Sequence, residues 1–104
     1  MGGLGEAKRI HDALLPRGVP VWCGGMLETG IGRATNLALA ALPGFVLPGD
    51  TSASERYFLE DITEPFRMDP DGTMAVPGGP GIGVDPRLDR LAQCTLRTEI
   101  LRKE

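Results

Sequence analysis

Apolar positions near the start of the chain fall on one helical face. Leu4, Ala7, Ile10, Ala13 and Leu14 predict an amphipathic helix over 4–15. Pro16 and Gly18 follow and end it. Val19, Val21 and Trp22 then make a short, strongly apolar run at 19–23, the pattern of a strand buried on both faces. A glycine-rich stretch, WCGGMLETGIGRATN, leads into a second periodic segment. There Ile31, Ala34, Leu37, Ala38, Ala41 and Leu42 predict a helix closed by Pro43-Gly44. FVLP at 45–48 reads as a second buried strand, with Gly49-Asp50-Thr51-Ser52 as a loop at its C-terminal end. Helix, strand, helix, strand with short connections is the rhythm of a parallel α/β fold. Two such strands alone leave edges unpaired, so the unit reads as incomplete.

The pattern changes past residue 50. Glu55–Glu60 predicts a short helix. ITEPF and TMAVP flank DPDG, which predicts a hairpin around a Pro-Asp-Gly turn. PGGPGIGV at 77–84 excludes regular structure. DPRLDRLAQ predicts a short helix with Asp85 as N-cap and Pro86 at its first position. The closing TLRTEILRKE suits a strand with a charged end.

Composition narrows the function classes. A length of 104 residues suits one small domain or a piece of a larger one. With 5% aromatic residues, the core must be aliphatic, and a chain of this size buries a limited share of its surface. A net charge of −3 with no basic stripe argues against nucleic acid. No apolar run approaches the ~18 residues of a membrane span. The N-terminus mixes acids and bases before its apolar part and does not read as a signal peptide. Cys23 and Cys94 lie too far apart for a CxxC site, and one histidine makes a Cys/His zinc site improbable. Both are expected to be buried, reduced thiols in a cytoplasmic protein.

The glycine-rich stretch is the candidate site. It has Arg33-Ala34 where a phosphate loop needs Lys followed by Ser or Thr. Gly30-Ile31-Gly32 supplies only the first pair of a dinucleotide fingerprint. What remains is general: a strand ends at Cys23, amides come free at Gly24 and Gly25, and a helix starts near Gly30. Those amides and the helix dipole offer a seat for a small acid. The alternative is that the glycines only permit a tight strand-to-helix turn. Glu28 likewise either caps the next helix from its first turn or points into the site to polarise a carbonyl or move a proton.

The ordered set GGMLETGIGRA, LPGDTSAS, RY, DI and GPGIGV resembles the C-terminal end of the o-succinylbenzoate synthase / N-acylamino acid racemase group. That group lies in the muconate-cycloisomerase-like branch of the enolase superfamily, and the resemblance covers nearly the whole chain. It implies the C-terminal part of a (β/α)8 barrel, with residues 19–23 as the seventh strand and 45–48 as the eighth. Residues 1–54 would then be the last βα units. Residues 55–104 would pack back towards a capping domain. The family binds a divalent metal, usually magnesium, through carboxylates on the third, fourth and fifth strands. Lysines on the second and sixth strands serve as acid and base. The resemblance makes Gly24, Gly25 and Met26 a pocket wall around the acyl or succinyl arm of a small carboxylate substrate. It puts Glu28 near the reacting end and Asp50 on the rim, with Trp22 and Cys23 as core and pocket floor.

The chain also departs from the family. The metal carboxylates and both catalytic lysines have no counterpart, and Lys8 and Lys103 match neither role. A barrel needs ~250 residues. No metal is therefore expected on this chain alone. Met1 stands where the family commonly has a small apolar residue such as valine, whose GTG codon can start translation; this suggests a truncated reading of a longer gene. The resulting expectation is an enzyme fragment that supplies part of a substrate pocket and is inactive alone. The alternative is a non-catalytic small protein that self-associates through open strand edges or complements another barrel fragment.

Overall fold

A computed structural model describes residues 2–103. The expectation about Met1, and the last residue of the charged tail, lie outside them. Gly3 opens the first helix in a conformation, φ 119°, that side-chain-bearing residues rarely adopt. Helix α1 (Leu4–Leu14) buries Ala7 and His11. It tightens into a single 3-10 turn at Leu15–Arg17 and stops at Gly18, which takes the left-handed conformation and donates its N–H to the Leu15 carbonyl. Helix α2 (Gly30–Ala40) follows an extended Thr29 and buries Gly30, Arg33, Ala34, Leu37 and Leu39. Helix α3 (Leu88–Cys94) buries nothing.

The two expected strands are reduced to one contact. Among the described residues the segments 19–23 and 45–48 meet at a single parallel bridge between Val21 and Phe45. The Val21 N–H donates to Gly44 at 3.0 Å, and the Leu47 N–H donates to the Val21 carbonyl at 3.3 Å. The direction agrees with the α/β rhythm, but no ladder extends from it. Pro20 and Pro48 lack the N–H groups that would lengthen the ladder.

Other expectations shrink in the same way. The hairpin survives only as its turn, where the Asp69 N–H reaches the Thr73 carbonyl and the Gly72 N–H reaches Asp69, both at 2.9 Å. The helix expected over 55–60 is one 3-10 turn, Ser54–Arg56. Asp85 does not cap α3; Arg87 is the N-cap, held extended because its N–H donates to the Ile62 carbonyl at 2.7 Å. Among the described residues the tail forms no strand, and Leu96, Ile100 and Leu101 stand in solvent. Cys94, expected to be buried, is exposed, because α3 turns no face inward.

Packing joins these pieces in two small clusters. Ala7, Cys23 and Leu39, flanked by Ala40, Leu42 and Phe45, tie α1 to α2 and to the bridge. Ala34, Leu37 and Phe66, flanked by Met74 and Val84, set the later chain against α2. The largest fully buried side chains are polar: Arg33, Thr63 and Ser54. Arg33 Nη1 donates to Ser54 Oγ at 3.1 Å and stands 3.5 Å from Asp61 Oδ2. Ser54 Oγ in turn donates to Asp61 Oδ2 at 2.9 Å, and Asp61 Oδ1 accepts from the Gly30 and Ile62 amides at 3.1 and 2.7 Å. Gly30 admits this arrangement, since a Cβ there would stand 1.8 Å from Thr63 Oγ1. His11 joins α1 to the 41–45 turn: its ring stacks on Phe45 and its Nε2 accepts from the Gly44 N–H at 3.1 Å.

Removing one member of a buried ion pair strands its partner, at a cost of roughly 3–5 kcal/mol. Asp61→Ala is therefore expected to lower stability by about 3 kcal/mol or more, read from urea unfolding; a loss within experimental error would contradict the network. A weaker effect follows from Asp12. The hydrogen bond from Lys8, and then that with His11, hold its carboxyl below the ordinary carboxylate range. The unfolded chain therefore binds this proton more readily than the folded one, and stability rises with pH through the acid window and falls as the carboxyl protonates. Asp12→Asn is expected to flatten that part of the acid limb of the helical circular-dichroism signal. An unchanged limb would remove Asp12 from the account.

Candidate functional site

The loop between the Val21 bridge and α2 gathers the residues singled out from the sequence. Gly24 lies on the Trp22 ring, where an added Cβ would touch the ring edge at 3.4 Å. Gly25 passes so close to the 45–50 segment that a Cβ would stand 2.7 Å from the Asp50 carbonyl oxygen, tighter than real contacts allow. Its N–H donates to the Asp50 carboxylate. The glycine is therefore required by a close backbone approach as well as by a turn. Met26 follows with its side chain 78% exposed, and Leu27 is also open to solvent.

The two carboxylates face the loop backbone. Glu28 Oε2 accepts from the Met26 N–H at 2.6 Å, and its Oε1 accepts from Asn36 Nδ2, on α2, at 3.1 Å. Glu28 does not take the capping course read from the sequence. It caps no helix amide, and both of its oxygens are held by donors of the chain. Of the amides read as a seat for a small acid, that of Gly25 is taken by the chain itself. Asp50 takes Gly25, Glu28 takes Met26, and Asp61 takes Gly30 at the start of α2. An external anion would meet carboxylates there. Carboxylates of the chain hold the loop at Gly25 and Met26.

Behind the loop lies a mostly apolar cavity of about 280 Å³, walled by Ala7, Trp22, Cys23, Leu39 and Phe45, with Thr35 and Asn36 on the α2 side. Cys23 sits at its floor, with its Sγ directed to the Gly24 carbonyl. Burial pushes the thiol up from its ordinary value, and the Glu28 and Asp50 carboxylates push it further. That favours the protonated thiol at neutral pH.

A divalent metal of the kind the family implies does not fit these residues. Magnesium takes six oxygen ligands in near-ideal octahedral geometry. The two carboxylates near the loop are bound to N–H donors of the chain. Among the described residues, no group of three or more His, Cys, Asp or Glu could hold a metal. Lys8 gives its ammonium to Asp12 at 2.6 Å on the exposed face of α1. The loop and cavity can wall and orient a bound molecule.

Three features escaped sequence reading: the buried Arg33, Ser54 and Asp61 set, the His11 contact to Gly44, and Asn36 as the partner of Glu28. Only the last carried a signal. Positions 28, 32 and 36 recur every four residues, the spacing of one helical stripe.

Comparisons with known proteins bear on the family and the fold. The family described as enolase C-terminal domain-like matches residues 1–90. An N-succinylamino acid racemase of Amycolatopsis sp is 57% identical over 95 residues, spanning 91% of this chain and 26% of the relative. An o-succinylbenzoate synthase of Geobacillus stearothermophilus is 58% identical over 85 residues, spanning 82% of this chain and 23% of the relative. Among solved structures, an enolase-superfamily member from Listeria innocua superposes with a TM-score of 0.81 at 47% identity, over 88% of this chain and 25% of that one. A probable mandelate racemase from Alicyclobacillus acidocaldarius superposes at 0.85 with 33% identity, over 93% of this chain and 26% of that one. The chain spans about a quarter of the length of the curated relatives it matches. With the family matching most of its length, the chain belongs to the enolase C-terminal domain-like family.

Proposed function

We propose that the chain is the C-terminal part of an o-succinylbenzoate synthase or N-acylamino acid racemase and supplies one wall of its substrate pocket. Gly24, Gly25 and Met26 form that wall around the acyl or succinyl arm of a small carboxylate substrate, with Glu28 near the reacting end and Asp50 at the rim. The observation that carries this reading is the loop itself. It stands where two parallel segments end together, closed at its base by Gly25 and Asp50, with Met26 held outward. Ligands in parallel α/β proteins sit at that end of the strands. Identities of 57% to a racemase and 58% to a synthase leave both chemistries open. In the intact enzyme a divalent metal, usually magnesium, and two lysines of the remaining barrel would complete the site.

The chain contributes position and shape. Orientation alone moves no proton, so it is expected to be inactive by itself. A second reading is a non-catalytic product that self-associates or complements another barrel fragment. It is favoured by the exposed Val19, Val46 and Leu47 beside a bridge that carries no ladder.

Purified chain with magnesium is expected to give background rates both for racemising an N-succinylamino acid and for forming o-succinylbenzoate. Turnover of either substrate above background would overturn the wall-only role. The upstream DNA bears on the parent enzyme: an in-frame extension encoding a lysine-bearing sixth strand supports it, and in-frame stop codons sink it. Light scattering during size-exclusion chromatography separates the second reading. A defined oligomer supports it and a monomer counts against it.

A further inference from the structure

Both oxygens of the Glu28 carboxylate are in use, and they join two different parts of the chain. Oε2 holds the Met26 N–H in the loop, and Oε1 holds Asn36 Nδ2, two turns into α2. The side chain reaches both because it lies along the first turns of the helix, over Gly32. A Cβ at Gly32 would stand 2.8 Å from Glu28 Cβ and 3.3 Å from its Cγ. Glu28 precedes α2, and its side chain runs over Gly32 to Asn36 on the helix: an acceptor, a gap and a donor. Asn36 is half-buried against the cavity behind the loop, whereas Met26 projects into solvent.

We propose that Asn36 is a positioning residue for the loop, acting through Glu28. Left alone, a half-buried glutamate beside a glycine-rich loop samples several rotamers and loses its hold on the Met26 amide. The Asn36 amide pins one oxygen on the rigid helix, so the other stays aimed at the loop. The helix thereby sets where Met26 stands. Hydrogen bonds to a charged acceptor are the stronger kind, and one carboxylate bridging two donors transmits position from one to the other. Asparagine suits the place because it donates without charge. A lysine would add a competing ion pair, and an aspartate would repel Glu28. The assignment of Met26 to a substrate wall rests on the function proposed above. The mechanical link from Asn36 to Met26 does not.

Amide hydrogen exchange of the ¹⁵N-labelled full chain tests the link without substrate, so its failure is separate from any failure of the functional reading. In the unaltered chain the Met26 amide is expected to exchange slowly for a loop amide. Asn36→Leu and Asn36→Asp are each expected to speed Met26 exchange about tenfold or more, while amides in α2 such as Ala38 keep their rates. Glu28→Ala is expected to produce the same acceleration. Adding Asn36→Leu to Glu28→Ala should then change Met26 no further, the non-additivity of residues acting through one contact. Unchanged Met26 exchange in both Asn36 variants would overturn the proposal. So would additive effects in the double variant, or acceleration spread along α2, which would make Asn36 a helix-stabilising residue instead.

Discussion

Asp61 is the point on which the structure turns. Its carboxylate takes the first amide of α2 from Gly30, the amide of Ile62 and the hydroxyl of Ser54, and it faces the buried Arg33 guanidinium. One side chain thus fixes the start of α2, the 3-10 turn at 54–56 and the segment after 61. The candidate loop ends where α2 begins. The apolar clusters are small, and their buried members include no aromatic residue besides Phe66. Polar contacts therefore carry specificity that a larger core would supply through shape.

The same device recurs at the loop. Asp61 anchors Gly30, Asp50 anchors Gly25, and Glu28 anchors Met26. In each case a carboxylate neutralises an amide that a glycine-rich turn leaves without a backbone partner. The glycines allow the close approaches and the acids hold them. The site is therefore built to keep its shape without a ligand, which suits a wall rather than a lid. Burial first, and then the Glu28 and Asp50 carboxylates, raise the Cys23 thiol above its ordinary value.

Helices were the legible part of the sequence. The 4–15 and 31–42 periodicities correspond to α1 and α2 within a residue or two, and Gly18 ends α1 as read. The resemblance carried by GGMLETGIGRA, LPGDTSAS and GPGIGV pointed to the family that the chain matches over residues 1–90. Strands were less legible. The runs at 19–23 and 45–48 have the right composition, but a strand is a statement about neighbours, and among the described residues each finds the other at one bridge only. The acids of the loop were visible as residues, while their targets were not, because Asp50 and Gly25 meet across 25 positions.

The sequence by itself determined local matters: where helices run, where glycine and proline stop them, and which ordered motifs the chain carries. Those follow from short-range sterics and periodicity, which are written along the chain. Tertiary structure alone decided which groups pair. It spent the loop amides on the chain's own carboxylates, buried Arg33 beside Asp61, and laid Glu28 along α2 to reach Asn36. Such pairings depend on distances between residues far apart in sequence, and the cost of leaving a buried polar group unpaired selects among them only once the chain has folded.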